Sequence, residues 1–336
     1  MLGLGALLGL LLLGAQMPLG AAAEEDGERR SYILATATPG GTFYPVGVAL
    51  ATLVKLKSER GISLSAISSA GSGENIKLLM DNEAQFAILI GLFGEWASKG
   101  KERYAALGPQ DNLRAVTALW KNVDHFILRS DLAATGTVED LAGLGDRRFS
   151  IGRRNSGTEA SGREILRALG LDPEALGLVH LGYGPSADAL QNGTIVGINA
   201  PGGVPIASVT RVLATLGTKV RLLEFTDEQL ARVKTRSDLW SRYVIPANTY
   251  PGQSEPVETI ALPNFLAVRG DVDEEVVYVI TKMIFENLPF LNGIHKATRA
   301  ITLDKATADL PVPLHPGAAR YFREAGLSLP ETPLAD

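Results

Sequence analysis

Short apolar runs alternate along the chain with segments whose apolar residues recur at helical spacing. Residues 32–37 read as a strand and 45–56 as the helix that follows; 63–67 leads to a helix at 74–80, and 86–90 to one near 93–100. Strand, Gly-rich turn and helix, three times over, predict a mostly parallel sheet with its ligand at the carboxyl ends of the strands. The pattern then restarts: 148–152 leads to a helix at 158–169, 179–181 to one at 186–191, and 195–198 to one at 205–216. Between the two series lie the apolar runs 115–119 and 125–129, and after them 259–262 and 265–269. These are natural crossovers, which predicts two α/β lobes, the second inserted in the first and joined by two hinge strands. The expected division is lobe I over 24–127, lobe II over 128–258, then a return crossover, closing helices and a Pro-rich surface tail over 259–336.

Composition narrows the classes. The chain has 336 residues, 46% of them apolar, enough for two cores. Its net charge of −5 comes with no basic stripe, which argues against nucleic acid as a partner. There is no cysteine, so disulfides, thiolate metal sites and a lipoprotein anchor are excluded. The first residues form an apolar run to about Ala15, then Pro18 and small residues, with Ala21 and Ala23 at the spacing a signal peptidase reads. A signal peptide over 1–23 and a periplasmic mature protein are expected. A membrane anchor fares worse, because the uninterrupted run falls short of the ~20 residues a span needs. No Lys or Arg precedes the run, which is unusual for a signal.

Bond-making constellations are missing from the sequence. No serine has glycines two before and two after it, and the four histidines (His125, His180, His295, His315) show no helical zinc spacing. The stretch GYGPSA (182–187) matches a loose dinucleotide pattern but lacks the acidic residue a ribose requires, and reads as a turn. Binding features repeat instead. TPGGTFYPVG (38–47), SSAGSGEN (68–75) and NSGT (155–158) each set small and hydroxyl residues before a helix. Such turns offer free N–H donors and the positive end of a helix dipole, although Ser, Thr, Asn and Gly are also ordinary caps. Three of them on two lobes predict an anion clamp in a cleft, with no cofactor and no metal.

The ordered set PGGTFYPVG, SAGSGEN, IGRRNSGT, NGTIVGINAPGGVP, IPANTYPG and VVYVITK resembles the TAXI family of solute receptors of TRAP transporters, from about residue 32 to 287. The resemblance implies a type II periplasmic binding-protein fold, a cleft that closes on one small molecule, and delivery to TRAP membrane permease subunits. Carried over, the first turn lands on Gly41, Thr42, Phe43 and Tyr44, the second on Ser69, Gly71, Ser72 and Asn75, and the third on Ser156, Gly157 and Thr158. Thr42, Ser72, Ser156 and Thr158 would donate to ligand oxygens, with Phe43 and Tyr44 as walls. Tyr44 also suits a core aromatic. Gly91, Asn199 and Gly202 complete the candidate set, and Tyr250 is a weaker member.

Departures from the family bear on the ligand. This sequence reads Ile90, Gly91, Leu92 where the family has a Gln-Ser-Asp run, and Val196, Gly197 where it has Asp-Ala. Arg153 and Arg154 precede the third turn; Arg154 reads as solvated, whereas Arg153 suits either cleft or surface. A cleft that lost acid and gained base predicts a mono- or dicarboxylate without an amine. An enzyme on the same fold would need a buried acid or base, for which Glu74 and Glu159 are the nearest candidates. A receptor presenting its ligand to a membrane sensor stays open as an alternative to transport.

Overall fold

The computed structural model describes residues 30–58 and 61–329, so the expected signal peptide lies outside the described residues. The first sheet holds β1 (Arg30–Ala35), β2 (Ile62–Ile67), β3 (Phe86–Ile90), β4 (Leu113–Val123), β10 (Ser241–Ile245) and β11 (Val257–Arg269). The second holds β5 (Phe126–Arg129), β6 (Phe149–Ser150), β7 (Leu178–Val179), β8 (Gly197–Asn199) and β9 (Val220–Leu222). The helices are α1 (Phe43–Lys57), α2 (Ser72–Met80), α3 (Gly91–Lys99), α4 (Gly157–Ala168), α5 (Tyr183–Gln191), α6 (Ala207–Leu216), α7 (Asp227–Lys234), α8 (Glu274–Glu286), α9 (Leu288–Ile294) and α10 (Pro316–Glu324). This is the two-sheet α/β architecture the alternation predicts.

The sheets are mixed rather than mostly parallel. β1 pairs parallel with β2 and β3, and β6 parallel with β7 and β8, as strand-turn-helix units require. The strands that cross between the sheets enter without a crossover helix, and so β11 and β5 pair antiparallel with their neighbours. Within the stretch 128–258, β10 joins the first sheet, because it returns as a hairpin-like partner of β11, with Ile245 opposite Val257. β3 is buried along its whole length, which explains its unbroken apolar run FAILI.

Passage between the sheets occurs at Asp124 and His125, the two residues separating β4 from β5. β11 runs beside them, with Asp124 N–H donating to Ile260 O at 2.9 Å. A small apolar cluster containing Val123, Ile127, Ile206, Tyr250 and Ala261 fills this crossing.

Two sequence expectations are corrected. The Pro-rich stretch at 311–316 is not a surface tail: His315 N–H donates to Ala115 O at 2.8 Å, Val312 is buried, and Pro316 starts α10, which packs on α8. Helices α1, α2, α3 and α5 also start at 43, 72, 91 and 183, two or three residues earlier than their apolar periodicity suggests. Their turn residues are themselves the first helical turn, which decides what those turns present.

Candidate functional site

A cavity of about 40 Å³ lies between the helix starts of the two sheets. That is room for about three or four waters, and hence for a small solute. The N-terminal residues of four helices line it: Phe43 of α1, Ser72 of α2, Gly157 and Thr158 of α4, and Tyr183 of α5. The first N–H groups of a helix have no intrahelical acceptor, and the aligned peptide dipoles make that end positive. Arg153 is the charged residue of the lining among the described residues, and it is exposed.

Ten of the fifteen sequence candidates line this cavity: Gly41, Thr42, Phe43, Gly71, Ser72, Arg153, Ser156, Gly157, Thr158 and Gly202. Gly71 sits at φ +121°, and a Cβ there would face the Gly157 nitrogen at 3.5 Å, so the turns of α2 and α4 approach through glycine. Gly41 lies against the Tyr183 ring, where a Cβ would come within 2.9 Å.

The other five candidates sit elsewhere. Ser69 and Asn75 brace the second turn from behind: the Ser69 hydroxyl donates to Asn75 Oδ1 at 2.6 Å, and Asn75 Nδ2 donates to the carbonyls of Thr36 and Ile88. Gly91 opens α3 next to Pro263 and does not reach the cavity. Tyr44 is half-buried, outside both the lining and the apolar clusters, so neither expectation for it is met. Asn199 is buried behind the cavity.

Hydroxyl roles also differ from expectation. Tyr183 donates its proton to Pro201 O, so in the 2.8 Å contact with Thr158 Oγ1 it is Thr158 that donates. Thr42 Oγ1 donates to Gly203 O at 3.1 Å and accepts from Gly203 N–H at 3.0 Å. Neither threonine retains a proton for a ligand. Ser72 Oγ accepts from Ile90 N–H and Ser156 Oγ from Glu159 N–H, which leaves both serine protons available. Glu74 and Glu159 accept from Ala70 N–H and Asn155 N–H, tying down their own turns as capping acids rather than facing a substrate.

The expected loss of acid from the cleft does not hold at the two positions that suggested it. Leu92 is buried in the main apolar core, and Val196 packs against that core; neither lines the cavity. The first follows from the early start of α3, which places residue 92 in its first turn facing inward. Sequence reasoning also missed Asn122, Gly182, Tyr183 and Pro201 in the lining. Gly182 and Tyr183 belong to GYGPSA, whose turn character was legible but whose approach to Gly41 depends on the lobes meeting. Asn122 is buried on β4 and had no sequence signal beyond a polar residue ending an apolar run.

Contacts between the two halves flank the site. Besides the reciprocal Thr42–Gly203 pair, Glu74 N–H donates to Asn155 O at 3.2 Å. Behind it, Asp124, His125, Asn199 and Tyr250 form a buried polar group. His125 Nδ1 lies 2.8 Å from Val123 O and must donate, so Nε2 accepts from the Tyr250 hydroxyl at 2.8 Å, which in turn accepts from Ile206 N–H at 3.0 Å. Burial lowers the His125 pKa to about 4 despite the Val123 bond, consistent with a neutral ring. Tyr250 is therefore a structural residue of the crossing.

Residues 34–326 match the NMT1-like family. Among solved structures, the chain is similar to MatC from Rhodopseudomonas palustris with bound malate, at 14% identity over 88% of this chain and 97% of that one, with a TM-score of 0.52. It is also similar to a protein of Bordetella bronchiseptica RB50, at 14% identity over 90% and 85% of the two chains and a TM-score of 0.50. The periplasmic aliphatic sulphonate binding protein SsuA from Escherichia coli matches at 13% identity over 88% and 83%, with a TM-score of 0.45. At such identities the likeness is one of fold.

Proposed function

The chain belongs to the NMT1-like family, and from that premise we propose that it is a periplasmic solute receptor of the TAXI type that closes on one small organic anion and delivers it to a TRAP membrane permease. One observation carries the reading: four helix N-termini, two from each side of the interface, line a single small cavity that Arg153 also borders. Unsatisfied N–H groups and helix dipoles favour negative charge, and a carboxylate accepts several such bonds at once. The malate bound to the structurally similar MatC has this chemistry.

The lining contains no Asp or Glu among the described residues, so an ammonium group would find no ionised acceptor there. Burying it without one costs about 1–3 kcal/mol, or roughly tenfold to a hundredfold in affinity. A thermal-shift panel pairing each amino acid with its keto or hydroxy analogue, malate included, tests this. Ligand at about 100 times its Kd stabilises by about 2.7 kcal/mol, enough to read. Stabilisation by 2-oxoglutarate or malate but not glutamate is the expected result; the reverse would refute the ligand class. A gene for a multi-span permease beside this one would support transport, and a sensor kinase gene the alternative.

A further inference from the structure

We propose that Asp124 is a neutral carboxylic acid sharing its proton with Asn199, and that this neutrality lets the neighbouring cavity hold an anion. The second half rests on the receptor reading above; the first does not. Asp124 lies at the passage between the sheets and is buried, as is Asn199 at the end of β8. Asn199 Nδ2 donates to Asp124 Oδ1 at 3.3 Å, while Asp124 Oδ2 and Asn199 Oδ1 are both buried without a partner among the described residues.

Two orphaned acceptors on one hydrogen-bonded pair are costly, and a single proton resolves both. A carboxamide and a carboxylic acid pair reciprocally: the amide N–H donates to one acid oxygen, and the acid O–H donates back to the amide oxygen. An ionised Asp124 could satisfy neither orphan.

The surroundings agree. Burial raises the Asp124 pKa to about 8, opposed only by the Asn199 bond. His125, next in the chain, is held neutral by its own burial, and burial also raises the pKa of Tyr183 on α5. From β11, Thr259 gives its hydroxyl proton to the Asp124 main-chain carbonyl. Arg153, the charge in the cavity lining, is exposed. Among the described residues, no cation therefore offsets the buried acid.

The pair is close enough to matter to a ligand. Asn122 and Pro201, each two residues from a member of the pair, line the cavity, as does Tyr183, whose hydroxyl a charge on Asp124 would reach. An ionised Asp124 would set a buried negative charge behind a bound anion. Anion affinity should fall as Asp124 ionises, and by reciprocity anion binding at alkaline pH should take up a proton.

Isotope-edited infrared spectroscopy of the protein labelled at its aspartate carboxyls tests the protonation directly. A protonated-carboxyl C=O band is expected at pH 7 in the wild type and should vanish in Asp124→Asn, whose amide can make both bonds and so preserve the fold. No such band, or a band that survives the substitution, overturns the inference. With malate as probe, affinity should drop by up to tenfold per pH unit above about pH 8 in the wild type and stay level in Asp124→Asn. A wild-type affinity that stays level too overturns the second half. Failure of malate to bind at any pH would count against the receptor reading instead, and the band would still decide the protonation.

Discussion

Two buried titratable residues at the sheet crossing give the protein a defined pH response. Asp124, raised to about 8 from its usual 3.8, binds its proton more tightly folded than unfolded; its contribution is present below pH 4 and lost as pH rises to 8. His125, lowered to about 4 from 6.5, acts oppositely, its contribution present above pH 6.5 and lost as pH falls towards 4. Each slope is about 1.36 kcal/mol per pH unit for one proton. The two cancel between about pH 4 and 6.5, which leaves stability falling between about 6.5 and 8. Urea titrations across that range should show the fall in the wild type and not in Asp124→Asn. Tyr250→Phe orphans both His125 Nε2 and Ile206 N–H, and a loss of about 1–3 kcal/mol in the same assay is expected. Arg153→Ala should weaken anion binding by no more than about 1 kcal/mol, with little change in melting temperature, since the side chain is exposed and screened by water. Leu92→Asp, by contrast, places a carboxylate in the main core, and unfolding rather than altered selectivity is the expected outcome.

At the level of elements, the turns were legible because their chemistry is local. Glycines, hydroxyls and a following apolar period mark a helix start in any context, and the glycine turns at 41, 71 and 157 do reach the cavity. What the pattern left out was direction. Ser69 and Asn75 are small polar residues of the same turn as Ser72 yet point into its support, a distinction that depends on the exact residue at which α2 begins. The crossing was visible as apolar runs, whereas its polar centre was not, because Asp124 and His125 resemble ordinary linker residues until Asn199 and Tyr250 arrive from 75 and 125 positions away. Gly71→Ala tests the geometry of α2: with φ at +121° the substitution strains the backbone, and a loss of about 1 kcal/mol or more, with weakened anion binding, should appear in paired melting and titration experiments.

For the whole molecule, the crossing strands and the contacts between the two halves describe a hinge and a latch. Thr42→Val keeps the side-chain shape but removes both bonds to Gly203. At about 0.5–1.5 kcal/mol each, their loss should shift the balance towards an open form by roughly fivefold to a hundredfold. Small-angle scattering should then show a larger radius for the variant, restored in part by a bound anion; an unchanged radius would mean that the latch does not set the balance. The contacts between the halves also have a kinetic side. For a solute gripped from both sides, release should be governed by the parting of Glu74 from Asn155 and of Thr42 from Gly203 as much as by its own contacts. Residence times should therefore converge on the opening time of the latch for weak solutes, however different their chemistry, and lengthen beyond it only for those that brace the latch shut.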